Sequence, residues 1–454
     1  MKQPLSGYRV IDLTAMVSGP LATMQLADQG AEVLKIERPD VGDYTRLASN
    51  QRHGFSASYL NNNRNKRSVA LDLKAPAGHE ALLRLCENAD VFVQNFRPGV
   101  VERMGLGEDA IRAVAPDIVY CSISGFGAAG PYATYPVYDP LVQALSSLAS
   151  IQGGSDTARP RLVRTIVPDK LTGYVAAQAI TAALLARAGG APGQHVRVSM
   201  LDAVIDFLWH SDMNSQTFVG DEFDQARAAS FIDLIYETTT GYISVAVQTD
   251  REWQALIAAL DKPEWNDDPR FATPADRQDN IDARLALTQE ALATDSAAHW
   301  LARLSEFGVP CAPVLTRTEL IDDEQIAANA ILIETDESTW CNAGFDASTD
   351  ATAAADSDEA SLGYLEKAFA QILGGHRLIG NRTRWMRFRT VTCQQWHSGN
   401  VVLLGDAAHT AHYSIGSGTK LAMEDAIALV REEAVIAYRA CGHRETAGTL
   451  VRRL

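Results

Sequence analysis

Positive charge is scarce in this chain. Lys and Arg number 40 against 56 Asp and Glu, a net charge of −16 over 454 residues. That balance argues against a nucleic acid or an anionic membrane surface as a general partner, because both call for a basic face. Cysteine is sparse too: Cys86, Cys121, Cys311, Cys341, Cys393 and Cys441 are scattered, with no CxxC pair and no Cys/His cluster at zinc spacing. A zinc site and a disulfide framework are therefore not expected, and the pattern suits reduced thiols. No apolar run reads as long enough to span a bilayer, and the N-terminal MKQPLSG lacks the apolar stretch of a secretory signal. A cytoplasmic protein is expected.

Apolar residues are plentiful. At 46% hydrophobic content the chain can bury the cores of two or three domains. Over the first 130 residues, Val- and Ile-rich runs at 9–13, 32–36, 68–72, 90–94 and 117–122 predict strands. Helical patterns at 20–29 and 77–88 fall between them. This alternation predicts an α/β fold with a Rossmann-like parallel sheet, whose ligands sit beyond the carboxyl ends of the strands. A second, smaller α/β region is predicted from a strand at 241–247 and helices at 252–260, 283–293 and 300–307. From 345 to 361 Ala, Asp, Ser and Thr dominate, the composition of a solvated linker.

Asp169 is the leading chemical candidate. It lies between Pro168 and Gly173, before an Ala-rich apolar helix predicted over 175–186. Taken alone it reads equally as a helix cap, since Asp near a helix start satisfies free N–H groups. A second carboxylate, Asp139, follows Tyr138 and precedes Pro140, so it reads either as a turn residue or as a partner able to tune the first. The stretch 125–130 matches GxGxxG, but Pro131 and the Tyr-rich residues after it do not open the helix that a pyrophosphate needs. Lys35, Arg38, Arg46, Arg64, Lys66, Arg67, Arg97 and Arg103 concentrate in the first quarter, where an anionic cofactor could be held.

Several blocks share one further property, their order. GYRVIDLT at 7–14, GAEVLKIERP at 30–39, NKRSVALDLK at 65–74, NFRPG at 95–99, SGFG at 124–127 with GPY at 130–132, DKLTG at 169–173 and GQHVRVSMLDA at 193–203 follow one another as in the family III CoA-transferases, which the chain resembles over residues 1–330. The resemblance implies a large Rossmann-like CoA-binding domain at 1–225, a small α/β domain at 226–330, and CoA transfer between carboxylic acids by way of an acyl anhydride and a CoA thioester on Asp169. It implies that Tyr138 and Asp139 lie near the nucleophile, and that Val17, Arg38, Leu71, Lys74, Asn95, Phe96, Arg103 and Met200 line the CoA and acyl path. Val17 stands where formyl-CoA transferases have Gln, so formate or oxalate specificity is not expected. Related α-methylacyl-CoA racemases carry His before the second Asp; Tyr138 there counts against proton-exchange chemistry. The family's interlocked dimers imply a homodimer, with acyl-CoA and a carboxylic acid as small-molecule partners.

The C-terminal third differs. NVVLLGDAAHTAH at 400–412 and SGTKLAMEDA at 417–426 resemble the flavoprotein hydroxylases of aryl-CoA thioesters. A junction over 331–362 and a flavoprotein-like fragment over 363–454 are expected, with Gly405, Asp406 and Gly416 as remnants of a flavin site. The glycine-rich strand and helix that would hold the ADP half are missing, so tight FAD binding is not expected. An acyl-CoA racemase or isomerase, an inactive fusion and a flavin monooxygenase are the competing readings.

Overall fold

The computed structural model describes residues 3–48, 50–52, 55–213, 216–217, 232–334 and 339–341, with short strands at Leu378–Asn381, Thr390–Cys393, His397–Ser398 and Val401–Val402. It divides into two units, the first running through Ala228 and the second spanning Ala229–Ala343.

In the first unit six strands, β1 (Arg9–Leu13), β2 (Glu32–Glu37), β3 (Lys66–Ala70), β4 (Val91–Gln94), β5 (Val119–Ser124) and β6 (His195–Ser199), form one sheet. Every pairing is parallel and the order is β3-β2-β1-β4-β5-β6. This is the doubly wound order, in which the winding reverses between β1 and β4 and a crevice opens above their carboxyl ends. Residues 14–17 follow β1 and residues 95–97 follow β4, so both segments border that crevice. The sheet is covered on both faces, as parallel sheets require. On one face Val10, Val91, Val93 and Cys121 pack with Leu26, Ala176, Ile180 and Leu184; on the other Ile11, Leu34, Phe92 and Tyr120 pack with Leu82 and Leu85. Asp12 and Lys35 are fully buried polar exceptions within these strands.

Among the helices of this unit are α1 (Ser18–Asp28), α2 (Pro76–Cys86), α3 (Asp139–Leu145), α4 (Val167–Ala188) and α5 (Met200–Trp209). Helix α4 begins eight residues before the predicted 175. By local rules Pro168 is a turn signal, yet in the first helical turn its missing N–H costs nothing and its fixed φ suits the helix. The same reason overturns the turn reading of Asp139-Pro140, which open α3. At 22 residues α4 is, by length and composition, apolar enough to cross a membrane, which corrects the expectation drawn from the sequence. Here its Ala176, Ile180, Ala183 and Leu184 face the sheet core. Strand β6 had no counterpart among the predicted elements.

The second unit holds an antiparallel three-stranded sheet of β7 (Ile235–Thr238), β8 (Gly241–Val245) and β9 (Cys311–Pro313), with β8 central. Helices α6 (Asp250–Leu260), α7 (Ile281–Leu292) and α8 (Ala297–Glu306) belong to the same unit. Trp253, stacked on Trp265 at 5.9 Å with Phe271 edge-on, anchors its core.

Candidate active site

Asp169 occupies the first turn of α4, but it is not the cap. That position is Ile166, which makes no side-chain capping bond. The Asp169 carboxylate instead faces Ser18, at the start of α1, whose hydroxyl and backbone N–H favour its charged form. Glycine makes this approach possible. A Cβ on Gly173, one turn further along α4, would lie 2.9 Å from both Leu21 Cδ2 and Ser18 O. Helix α4 thus closes onto α1 at the level of the carboxylate.

The second carboxylate holds the first in place. Asp139 is buried at 3% exposure. Its Oδ2 accepts the Asp169 backbone N–H at 3.1 Å and its Oδ1 accepts Gln143 Nε2 at 2.6 Å. Gln143, one turn along α3, takes the Val163 N–H on its own Oε1 at 2.9 Å, so the segment before α4 is tied to the same carboxylate. Burial raises the Asp169 pKa to about 6; the negative charge of Asp139 adds to the rise and the two Ser18 bonds oppose it. At neutral pH the group is a partly desolvated carboxylate, a stronger nucleophile than one fully hydrated.

Of the other candidate positions, Val17 immediately precedes Ser18 in the turn after β1. Asn95 spends its amide on that turn: Oδ1 accepts Ala15 N–H at 3.0 Å and Nδ2 donates to Ala15 O at 2.7 Å. Leu71 and Phe96 pack against the core on the α2 face of the sheet. Met200, at the first position of α5, is buried with Val142, Val204 and Leu208 and packs near Phe126, Val137 and Leu171. Tyr138 caps α3 at 68% exposure, its side chain making no capping bond. Gly405, Asp406 and Gly416 lie outside the described residues.

The basic cluster of the first quarter divides sharply. Lys35 pairs with Asp43, Lys66 with Asp12, Arg46 with Glu37, Arg64 with Asp28 and Arg67 with Glu32. These five neutralise internal carboxylates and are not free for phosphate, which corrects the expectation for them. Buried Lys66 is pushed down to about 8 by desolvation and by Lys35, against the pull of Asp12. Glu37, although desolvated, is held down at about 2 by Arg46. Arg38 is exposed beside Asp40 and Tyr44. Lys74, Arg97 and Arg103 are exposed and, among the described residues, carry no ion pair. By strand order, the positions after β2, β3 and β4 that bear Arg38, Lys74 and Arg97 all fall at the carboxyl edge of the sheet.

Two features went unread in the sequence. Ser18 and Gln143 act only once α1 begins at residue 18 and α3 at residue 139; Ser-Gly-Pro at 18–20 was the available signal for the first. The second feature is a trio in which Ser122 Oγ is 2.7 Å from His195 Nε2 while Glu108 bonds His195 Nδ1. Its connectivity is that of a hydrolase triad. Ser122 is mid-strand, however, and β5 is laddered on both sides, so the backbone donors beside it are consumed. The trio is a satisfied polar bridge from the sheet to the helix Glu108–Val114. Among the described residues no cluster of His, Cys, Asp and Glu could hold a metal ion.

Comparison with known proteins agrees with this architecture. The family model described as CoA-transferase family III matches residues 5–359, and the chain belongs to that family. Among curated relatives it is 34% identical over 339 residues to an acetyl-CoA:oxalate CoA-transferase of Acetobacter aceti, covering 73% of this chain and 86% of the relative. A human succinyl-CoA:glutarate CoA-transferase is 32% identical, with 74% and 77% covered. Among solved structures, Rv3272 of Mycobacterium tuberculosis superposes with a TM-score of 0.67 at 30% identity over 76% of this chain and 92% of its own. A CAIB/BAIF family protein of Brucella suis gives 0.67 at 29% identity, with 76% and 94% covered. The chain is thus a CoA-transferase enzyme that carries, in addition, a match to an FAD binding domain over residues 325–438.

Proposed function

We propose that this enzyme moves CoA from an acyl-CoA donor to a carboxylic acid acceptor with Asp169 as covalent nucleophile. The observation that carries the reading is the Asp169 carboxylate itself: half-buried, set on the Ser18 donors above the crevice between β1 and β4, and backed by Asp139. An Asp169 oxygen attacks the thioester carbonyl, the C–S bond breaks, and CoA leaves as thiolate from a mixed anhydride. The thiolate then attacks the Asp169 γ-carbon and expels the donor acid, leaving an aspartyl-CoA thioester. An acceptor carboxylate reverses the two steps, so no proton is gained or lost. While the γ-carbon is tetrahedral, negative charge collects on the Asp169 oxygen, and the Ser18 N–H and hydroxyl beside it are the donors available to stabilise it.

The CoA portion is assigned to the carboxyl edge of the sheet, with exposed Arg38, Lys74 and Arg103 available to its phosphates. The named relatives act on small dicarboxylic acids, which makes acids of that size the first acceptors to try. For the tail, we infer that FAD is not held tightly. Among the described residues no strand runs through a glycine-rich turn into a helix that could face Gly405, Asp406 and Gly416: after residues 125–130 no helix begins until Asp139, and residues 105–107, which open the helix Glu108–Val114, follow a helix and not a strand. Incubation with a panel of acyl-CoAs followed by peptide mass spectrometry tests the central claim. An acyl or CoA adduct is expected on Asp169, and a turning-over enzyme with that residue unmodified would reject the mechanism.

A further inference from the structure

The turn that joins β1 to α1 is held residue by residue from neighbouring strands. Thr14 gives its N–H and hydroxyl to Asp12 Oδ1 at 3.0 and 2.5 Å, while its carbonyl accepts Lys35 Nζ at 2.9 Å. Ala15 is bracketed at both backbone groups by the Asn95 amide. Met16 gives its N–H to Asp43 Oδ1 at 3.2 Å. Its φ is 71°, a left-handed conformation that a non-glycine residue keeps only when its surroundings impose it. Its side chain is 44% exposed, so packing of that side chain is not what imposes it. Asp43 is itself fixed. Its side chain is fully buried, with Thr45 N–H on Oδ1 at 2.9 Å and Lys35 Nζ 3.0 Å from Oδ2. That last contact is an ion pair only, and Oδ2 has no hydrogen-bond partner. Two residues after Met16 comes Ser18, whose donors meet Asp169.

A buried ion pair spent on a turn, and a strained residue held by it, are costs that a turn serving only as a connection would not need. We propose that Asn95 and Asp43 are positioning residues of the nucleophile: they lock the Met16 turn in its left-handed form so that the Ser18 N–H and hydroxyl stay aimed at Asp169. This rests on the assignment of Asp169 as nucleophile and adds to it the means by which that group is held ready. It also gives Asn95 a role through the backbone of the turn, its amide being already committed to Ala15.

The consequence is measurable at Asp169. The charged group facing it from the packed elements is Asp139 on α3, and α1 offers Ser18. Loosening the turn withdraws the Ser18 bonds and leaves burial and Asp139 unopposed, so the carboxyl must titrate higher. The test is a carbon-13 titration of Asp169, assigned by its loss in Asp169→Asn, in three variants. Asn95→Leu removes the bracket on Ala15. Lys35→Met with Asp43→Leu removes the buried pair without stranding a charge. Met16→Gly is the control: glycine adopts the left-handed position without strain and keeps the N–H that Asp43 holds, so it leaves the clamp in place. Asn95→Leu and the double variant, each checked for cooperative unfolding in urea, are expected to raise the Asp169 midpoint by roughly half a pH unit or more, and Met16→Gly to leave it in place. A midpoint unmoved in a folded Asn95→Leu or double variant, or one raised in Met16→Gly as far as in them, overturns the proposal; if both fail to fold, Asn95→Ala, a milder loss of the same bracket, is read in their place. The two readings fail separately. Shifted midpoints in a protein that never forms an Asp169 adduct would remove the nucleophile and keep the clamp, and an adduct with unmoved midpoints would do the reverse.

Discussion

At the scale of single residues, the proposed chemistry turns on one carboxylate, Asp169, that folding makes harder to ionise. Because its pKa is raised to about 6, the folded protein binds more protons than the unfolded chain between roughly pH 4 and pH 6. Stability contributed at this site is therefore lost as pH rises through that window, and the ionised nucleophile is gained over the same range. Asp169→Asn is expected to fold, to lose CoA exchange by about 10³-fold or more, and to be more stable than wild type above pH 6. The gain is expected to be about 1–3 kcal/mol, vanishing below about pH 4, read from urea curves at several pH values. Exchange within a few fold of wild type would sink the assignment. Asp139→Asn removes the neighbouring negative charge but keeps an amide oxygen for the Asp169 N–H. The acid limb of adduct formation is expected to move to lower pH. A limb that stays put would mean that Asp139 acts only as a backbone anchor.

Among elements, the decisive contact is between α1 and α4. Their close approach depends on Gly173, where a Cβ would press on Leu21 and on the backbone oxygen of Ser18. Gly173→Ala should gain about 1 kcal/mol of helix propensity, yet the forced separation costs more. A net loss of roughly 1–2 kcal/mol in urea unfolding is expected, with slower Asp169 adduct formation because Ser18 moves with α1. Unchanged stability and an unchanged rate together would show that the helices part without disturbing the site. The boundaries of these same elements separate what could be read in the sequence from what could not. Strand β1 reads correctly because Val10, Ile11 and Leu13 leave little choice in a buried parallel strand. Helix α4 is misplaced at its start because Pro168 and Gly173 also read as turn residues: Pro168 fits the first helical turn by its own fixed φ, and Gly173 sits where α4 packs on α1.

For the whole molecule, exposed apolar residues raise the question of assembly. Leu141 and Leu145 on α3, Tyr174 and Leu185 on α4, and Ile205, Phe207 and Trp209 on α5 are between 37% and 74% exposed. So much apolar surface on neighbouring helices of one unit favours burial against another copy. A homodimer is the expected state in light scattering, and monomer alone across micromolar concentrations would reject it. The purified protein is expected to be colourless. Stoichiometric flavin absorbance surviving desalting would instead make the C-terminal match a working redox module.

The order of the sequence blocks, the βαβ alternation and the candidacy of Asp169 were all legible in the chain itself, because each depends on local pattern: apolar period, turn residues and motif order. Charge was legible only as a total. Which cations serve substrates and which are spent inside could be decided only by burial, since Lys35 and Lys66 differ from Lys74 in their surroundings and not in their chemistry. Likewise the capping and nucleophile readings of Asp169 are alike in sequence. What only the tertiary structure supplies is the arrival of Ser18, about 150 residues earlier in the chain, beside that carboxylate, because contacts between distant segments exist only once the sheet and its helices have packed.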